Sequence, residues 1–408
     1  MMVTLSKSNG NLSRQRGFLA GFVVVINTYS WFFPLYILFE GILNDTIKEY
    51  SVFANIIGIH YLAALVSAFV GVIAVNKRGK RDQFLILWMI VGAAASLSLT
   101  LVPIAGHLGL YFISFLLGVS LGLGFPSFLA YFAEYNTENV GKKAGTTFLL
   151  SGVGILAAGS STALLPFAAN ALIFAAWRII GCILFLFIRP TEKKEIGQHV
   201  SYSSILDQRA FILYFIPWIM YCIINYLEAS LLKGFFGSEF SYFVPVAEFG
   251  IGGIVAFVAG YLSDLIGRKI VIAFGYVMLG IGYAFLGLFP DNMISWYFYV
   301  VVDGVSLGVF ALAFFIVIWG ELAGDKNKEK YYLLGGMPYL VLSYLGIVVR
   351  PYVELMPVSS AFSLAAFFLF LAVLPLMYAP ETLSEKKMKD RELKKYIEKA
   401  RKAKEKYA

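Results

Sequence analysis

The sequence predicts an all-α membrane protein: twelve transmembrane helices in two parallel six-helix bundles with a central cavity. Composition is the first reason. Hydrophobic residues make up 59% of the chain and charged residues only 14%, whereas soluble domains carry roughly 25% charge. The apolar residues also form continuous runs of roughly 20 residues, which is the length of a membrane-spanning helix. They do not alternate with polar residues as in the strands of a membrane barrel. A repeat between the two halves of the sequence predicts the two bundles.

Twelve apolar runs define the predicted spans. The first run follows Lys7, Arg14 and Arg16; it is too long for a signal peptide and lacks the cleavage pattern, so we expect it to be retained. The longest polar interruption between helices, 189–210, separates the sixth run from the seventh. The predicted spans are 17–40, 50–75, 84–105, 109–133, 145–165, 168–189, 210–233, 242–262, 271–290, 294–319, 331–353 and 359–379.

The distribution of basic residues predicts the orientation. If residue 1 lies in the cytoplasm, 29 of the 33 Lys and Arg residues fall on cytoplasmic segments, which is the positive-inside pattern. The formal net charge of +8 therefore reflects orientation in a lipid bilayer, and we expect no nucleic-acid partner. We expect the plasma membrane, with both termini cytoplasmic. The predicted units are an N-terminal bundle at 1–189, a cytoplasmic linker at 190–209, a C-terminal bundle at 210–380 and a basic cytoplasmic tail at 381–408.

The pentapeptide GVSLG occurs twice, at 118–122 and at 304–308, an offset of 186. Glu134 and Glu321, in two similar polar loops, are offset by 187. These repeats predict that the six-helix unit is duplicated, and because six is even, both copies have the same orientation in the membrane. The glycines of each GVSLG lie on one helix face, where they serve either close helix packing or contact with a solute.

The segment GYLSDLIGRK at 260–269 lies on a short turn between spans 8 and 9. It resembles the signature loop of the major facilitator superfamily. The polar loops at 133–145 and 320–332 and the PET tripeptide at 380–382 also resemble the family, with a lean toward its sugar and metabolite porters. The resemblance covers about 17–382 and implies transport by alternating access. The matching positions are Gly260, Asp264, Gly267, Arg268 and Lys269.

The resemblance also implies two ion pairs that close a cytoplasmic gate. One would join Arg268 to Glu321, and the other would join Arg81 or Lys80 to Glu134. For the N-terminal copy, a plain solvated loop is an equal alternative. That copy has Val75 where the signature has its Asp, so Asp264 is predicted to act in the latch alone.

Three acids within predicted spans require an explanation, because a charge at the centre of a membrane helix costs roughly 2.5–3.5 kcal/mol. Asp303, in span 10, stands where the N-terminal copy has Leu117. Asp303 either takes part in proton or solute coupling, or it forms a structural ion pair with Arg178 or Arg350. Glu228 and Glu248 are the other candidates for proton coupling, although Glu228 is also placed to reach the outer membrane surface.

Spans 1, 4, 7 and 10 line the cavity in the resembled family, which implies a set of solute contacts. Amides beside aromatic rings suit a hydroxylated organic solute. His60 in span 2 is either a proton relay or a buried histidine. The predicted solute contacts are Asn27, Trp31, Asn225, Tyr226 and Asp303.

The predicted function is secondary active transport of a small organic solute, with proton-coupled symport as the first hypothesis and a monomer as the working unit. An exporter, antiporter or uncoupled facilitator is the second, and a non-transporting sensor or scaffold is the third. No phosphate-binding GxxxxGK[ST] motif and no set of catalytic residues is present in the sequence, so we expect no enzyme, no metal and no cofactor.

Overall fold

The computed structural model describes residues 2–190, 197–237 and 240–383, together with Leu393 and Ile397, so most of the predicted basic tail lies outside the described residues. Within them, twelve helical spans are long and apolar enough to cross a membrane, which confirms the predicted all-α fold. Several helices extend beyond the apolar run. Span 1, for example, continues through the basic residues before it, because a helix does not need to stop at the membrane surface.

The span bounds are as follows. In the first half, the helices are Met2–Thr46 (span 1), Tyr50–Arg78 (span 2), Arg81–Ser98 with the 3-10 turn Leu99–Ile104 (span 3), His107–Gly122 and Phe125–Tyr135 (span 4), Val140–Leu164 (span 5) and Phe167–Ile188 (span 6). In the second half they are Arg209–Phe236 (span 7), Phe240–Ile266 (span 8), Arg268–Leu288 (span 9), Met293–Phe310 with the π-helix Ala311–Val317 and Ile318–Ala323 (span 10), Lys328–Val353 (span 11) and Val358–Tyr378 (span 12). A short helix, Tyr202–Leu206, lies in the linker.

Helix contacts repeat between the halves. In the first half, span 1 packs on spans 5 and 6, span 2 on span 4, and span 3 on spans 4 and 6. In the second half, span 7 packs on spans 11 and 12, span 8 on span 10, and span 9 on spans 10 and 12. Each contact therefore has its counterpart six spans later, as expected for a duplicated unit in one orientation.

The two GVSLG segments make equivalent packing contacts. A side chain at Gly118 or Gly122 would overlap the backbone of span 2, at the carbonyls of His60 and Ala64. A side chain at Gly308 would overlap the carbonyl of Gly252 in span 8. Close helix packing therefore accounts for these glycines.

The halves meet through spans 2 and 5 of the first half and spans 8 and 11 of the second. The even number of spans places both ends of the helical region on one face of the membrane. We call this the terminal face and the other the opposite face. Near the terminal face, Gly141 of span 5 lies directly against Gly260 of span 8, and a side chain on either would overlap the other's carbonyl. The absence of side chains thus lets two backbones from different halves touch.

The linker is docked on the terminal face. Gln198 donates its backbone N–H to the carbonyl of Asp325 and accepts from the N–H of Asn327, both at 3.0 Å. The Lys330 ammonium donates to the carbonyl of Val200 at 2.6 Å. On the other side, the Tyr202 ring contacts the Phe69 ring of span 2 at a centroid distance of 6.0 Å. The linker therefore contacts both halves.

Candidate functional site

A cavity of about 410 Å³ lies between the two halves. Residues from the ends of spans 1 and 11 at the opposite face, including Glu40, Asn44 and Arg350, form its rim, so it opens toward that face. Its size suits a small organic molecule. Many of its lining residues are aromatic; they include Tyr36, Trp218, Tyr221, Tyr226, Phe249, Phe310, Phe315 and Tyr339.

All three predicted membrane acids line this cavity. Asp303 and Glu228 are only 3% and 6% exposed. The carboxyl groups of Asp303 and Glu248 lie close to each other. The Tyr299 hydroxyl lies near the Glu228 carboxyl group. Among the residues that the structure describes, no group forms a hydrogen bond with Oε2 of Glu228 or Oδ1 of Asp303.

Packing of span 10 on span 8 brings Asp303 and Glu248 together. Gly304 and Gly308, on the turns that follow Asp303, allow this approach because a larger residue would meet the Ala247 carbonyl and the Gly252 carbonyl of span 8. The repeated glycines therefore position a carboxyl pair in the second half. The first half has Leu117 at the position of Asp303, and that leucine is buried.

Only part of the predicted set of solute contacts lines the cavity. Asn225 and Tyr226 of span 7 do so. Asn27 and Trp31 of span 1 do not, which corrects the prediction for these two residues. The Trp31 indole donates to the Ser96 hydroxyl at 2.8 Å, and both side chains are buried inside the first half. Asn27 and Trp31 therefore lie on the face of span 1 that points toward span 3 and span 6, away from the cavity.

Asn27 and Trp31 instead surround a buried arginine. Arg178 donates to the Asn27 side-chain oxygen at 2.8 Å, and its guanidinium lies 4.5 Å from the ring centres of both Trp31 and Trp88. The aromatic faces stabilise the cation without a carboxylate. The predicted alternative in which Arg178 forms a structural pair with Asp303 is therefore wrong.

The other predicted partner of Asp303 is also engaged elsewhere. Arg350 donates from Nε to Glu354 at 2.8 Å. Lys233 lies near Glu228 in the sequence, but its side chain is not among those that the structure describes. His60 is fully buried against the rings of Phe32 and Tyr61 and does not line the cavity.

At the terminal face, the signature residues form a closed cluster. Arg268 contacts Asp264 and Glu321, each at 2.9 Å. Asp264 in turn accepts hydrogen bonds across the interface between the halves, from the backbone N–H groups of Gly141 and Lys142 at the start of span 5, at 3.3 and 2.9 Å. A carboxylate is stabilised there because the first N–H groups of a helix have no partner within it.

The remaining signature positions shape the turn that holds Arg268. Gly267 has φ +107°, a value that favours glycine, and a side chain there would overlap the Glu381 carboxylate. That carboxylate accepts from the Arg268 backbone N–H at 2.9 Å. Lys269 donates to the carbonyl of Ala379 at 3.2 Å. The PET segment and the signature turn are therefore packed together.

The first half has a second cluster. Arg81, not Lys80, pairs with Glu134, and it also pairs across the interface with Glu329 of span 11, with Nε at 2.6 Å from the carboxylate. Glu329 is completely buried. Asn327 donates to the Asn76 side-chain oxygen at 2.7 Å, again between the halves.

These contacts correct the predicted arrangement of the gate. The pairs Arg268–Glu321 and Arg81–Glu134 each lie within one half, so neither joins the halves. The joining contacts are Arg81–Glu329, Asn76–Asn327 and Asp264 with the start of span 5. Sequence reasoning missed Glu329 and Asn76. The structure is therefore closed at the terminal face and open toward the opposite face.

Two helix bundles around one central cavity, with access from a single face, define a multi-pass membrane transporter. The chain belongs to the Major Facilitator Superfamily, whose sequence model matches residues 18–309. The predicted family resemblance is thereby confirmed. No curated protein sequence matches the chain.

Solved structures share the fold. The proton:xylose symporter XylE bound to 6-bromo-6-deoxy-D-glucose is 12% identical with a TM-score of 0.69, over 91% of this chain and 97% of that one. The E. coli fucose:proton symporter FucP is 11% identical with a TM-score of 0.67, over 90% of this chain and 99% of that one. A bacterial homologue of the iron transporter ferroportin, in an outward-facing state, is 13% identical with a TM-score of 0.66, over 90% and 98%.

Proposed function

We propose that this transporter moves a small organic solute by alternating access and couples the movement to protons. The observation that carries the proposal is the close approach of two carboxyl groups, Glu248 and Asp303, on the cavity wall. Two carboxyl groups in close contact repel each other when both are ionised, so a proton on one of them is favoured. The cavity therefore has a place for a proton beside the place for a solute.

The gate contacts support a rocking motion of the two halves. Opening the terminal face requires the loss of the bond between Arg81 and Glu329 and of the bonds from Asp264 to the start of span 5. The pairs within each half need not break. Arg268 holds Asp264, and Glu134 holds Arg81, so each half keeps its gate residue in position for the next closure.

Orientation and coupling are part of the same proposal. The terminal face would be cytoplasmic, because it carries most of the basic residues, and the membrane would be the cell membrane. Symport is supported by the two similar structures that are named as sugar:proton symporters. The cavity and the gates lie within one chain, which supports a monomer made of moving units at 1–189 and 210–380 with a linker at 190–209.

Asp303→Asn tests the coupling. The purified protein is placed in liposomes that contain a pH-sensitive dye, and a panel of sugars, amines and carboxylates is added outside. We expect at least one solute to change the luminal pH with the wild-type protein, with acidification for symport. We expect Asp303→Asn to abolish that change, because an amide keeps the shape of the side chain but carries no exchangeable carboxyl proton.

Asp291→Asn is the matched control, since Asp291 is an exposed acid in the loop between spans 9 and 10 and does not line the cavity. It should behave as the wild type. A solute that enters, by radiolabel, with no change in luminal pH would refute the coupling. So would a full pH response in Asp303→Asn.

A further inference from the structure

We infer, on the basis of the proposed transport function, that the solute is an organic cation and that Glu228 is its counter-charge. The charges on the cavity wall are the first reason. Four acids line the wall: Glu40, Glu228, Glu248 and Asp303. Among the described lining residues only Arg350 is basic, and it is already bound to a carboxylate of Glu354 at 2.8 Å. Among the described lining residues, an anionic solute would therefore face four acids and a single arginine whose charge is already shared with Glu354.

The unpaired oxygens of the buried acids are the second reason. Oε2 of Glu228 and Oδ1 of Asp303 lack a hydrogen-bond partner within the described part of the chain, although these residues are only 6% and 3% exposed. Buried acceptors of this kind are costly when unfilled, so a ligand that brings donors or positive charge is favoured. Asp303 also lies close to Glu248, and this pair is assigned to the proton, which leaves the free oxygen of Glu228 for the solute.

The aromatic wall is the third reason. Trp218, Tyr221, Phe310 and Phe315 line the same cavity. The Trp218 N–H is already donated to the carbonyl of Gly335 at 2.8 Å, so this residue offers the solute its ring and not a donor. Ring faces attract a cation with a spread charge, and they add apolar contact to its carbon body.

A metal ion fits this cavity less well than an organic cation. A divalent ion needs several ligand atoms converging on one point. Within the part of the chain that the structure describes, no three Asp, Glu, His or Cys side chains come close enough to hold one. An acid pair and the nearby Glu228, set among aromatic rings, instead match a molecule with a charged end and an apolar body.

Ligand binding at constant pH tests this inference. The full-length protein in lipid nanodiscs is heated with permanent cations (tetramethylammonium, choline, phenyltrimethylammonium), with neutral sugars (D-xylose, L-fucose) and with benzoate. Because only a bound ligand raises the melting temperature by mass action, we expect a rise with at least one cation and none with the sugars or benzoate. This measurement needs no variant, so a variant that fails to fold cannot obscure it.

Glu228→Gln identifies the counter-charge. Loss of one charge-assisted contact should weaken binding of the cation by roughly tenfold to a hundredfold. Asp291→Asn, an exposed acid near the same face, should stay within about twofold of the wild type because exposed charges contribute little. Cation affinity unchanged in a folded Glu228→Gln protein would overturn this role.

The outcomes separate the two proposals. Binding of sugar or benzoate alone, or of no cation in the panel, would overturn the inference about the solute. It would leave proton coupling standing if a sugar drives the luminal pH change. Cation binding with no proton movement in liposomes would refute the proposed coupling and leave the solute class intact.

Discussion

At the scale of single residues, Glu329 is the critical member of the terminal-face gate. It is completely buried, it belongs to the second half, and its partner Arg81 belongs to the first. Arg81 is held in place by Glu134 of its own half. Arg81 therefore pairs with one acid from each half, and it can lose Glu329 while it keeps Glu134.

Glu329→Gln should shift the protein toward opening at the terminal face. Because Arg81 keeps Glu134, the variant loses only one hydrogen bond between charged groups, about 1.5–3 kcal/mol, and this loss falls only on the closed state. Spin labels at Lys77→Cys and Asp325→Cys, both exposed on the terminal face, should report longer distances by pulsed electron resonance. Cys182 and Cys222, both buried and unpaired, are first replaced by alanine.

The control for this variant is Glu138→Gln. Glu138 also pairs with an arginine, Arg14, but its side chain is 72% exposed and both residues belong to the first half. Its label distances should match those of the wild type, because an exposed pair contributes little. Equal distances in wild type and Glu329→Gln would show that the Arg81–Glu329 pair does not hold the gate closed.

At the scale of elements, span 10 combines two features. Its GVSLG segment packs against span 8, and a π-helix follows directly at Ala311–Val317. Such π-helical turns often occur at functional sites, and here Phe310, Ala311 and Phe315 line the cavity. The glycines thus fix the register of a span that carries both Asp303 and part of the aromatic wall.

Gly308→Ala should destabilise the protein even though alanine is ordinarily the better helix former by about 1 kcal/mol. The added methyl group would overlap the Gly252 carbonyl, and overpacking of this kind costs about 1–3 kcal/mol. Thermal denaturation should give a lower melting temperature. Gly122→Ala, its counterpart in span 4, should have the same sign, because its methyl group would overlap the Ala64 carbonyl.

Gly159→Ala is the matched control within the membrane. A methyl group there would have no neighbour within 4 Å, so the ordinary helix preference should apply and the melting temperature should stay equal or rise. If all three variants melt alike, close packing is not the reason for the repeated GVSLG segments.

At the scale of the whole molecule, the repeated contacts between spans predict that each half moves as a unit. Labels at Asp45→Cys and Leu355→Cys lie at the opposite face, one in each half, and both positions are exposed. In Glu329→Gln we expect the distance between the labels at 45 and 355 to shorten, while the distance between the terminal-face labels at 77 and 325 lengthens. A change at one face only would contradict rocking of rigid halves.

The sequence was sufficient for the architecture because its signals are local. Long apolar runs predict spans, and the repeated GVSLG predicts the duplication. The site was only partly predictable. Asp303 is conspicuous as a charge in an apolar run, whereas Asn27 and Trp31 were misplaced because a span that is apolar all round does not show which face points to the cavity.

The gate shows a second limit. Glu329 stands in the polar run KNKEK, and nothing local distinguishes it from a solvated charge. Only the packing of span 11 against span 2 places it beside Arg81. Contacts between the halves depend on how the two bundles pack together. The spacing of residues along the sequence does not predict these contacts.

The linker docked on the terminal face has a practical consequence. Its strand-like pairing with Lys326 and its ring contact with span 2 exist together only while the halves are joined there. An antibody fragment that recognises this composite epitope would therefore arrest the purified carrier in one state and would serve as a conformational reporter in nanodiscs.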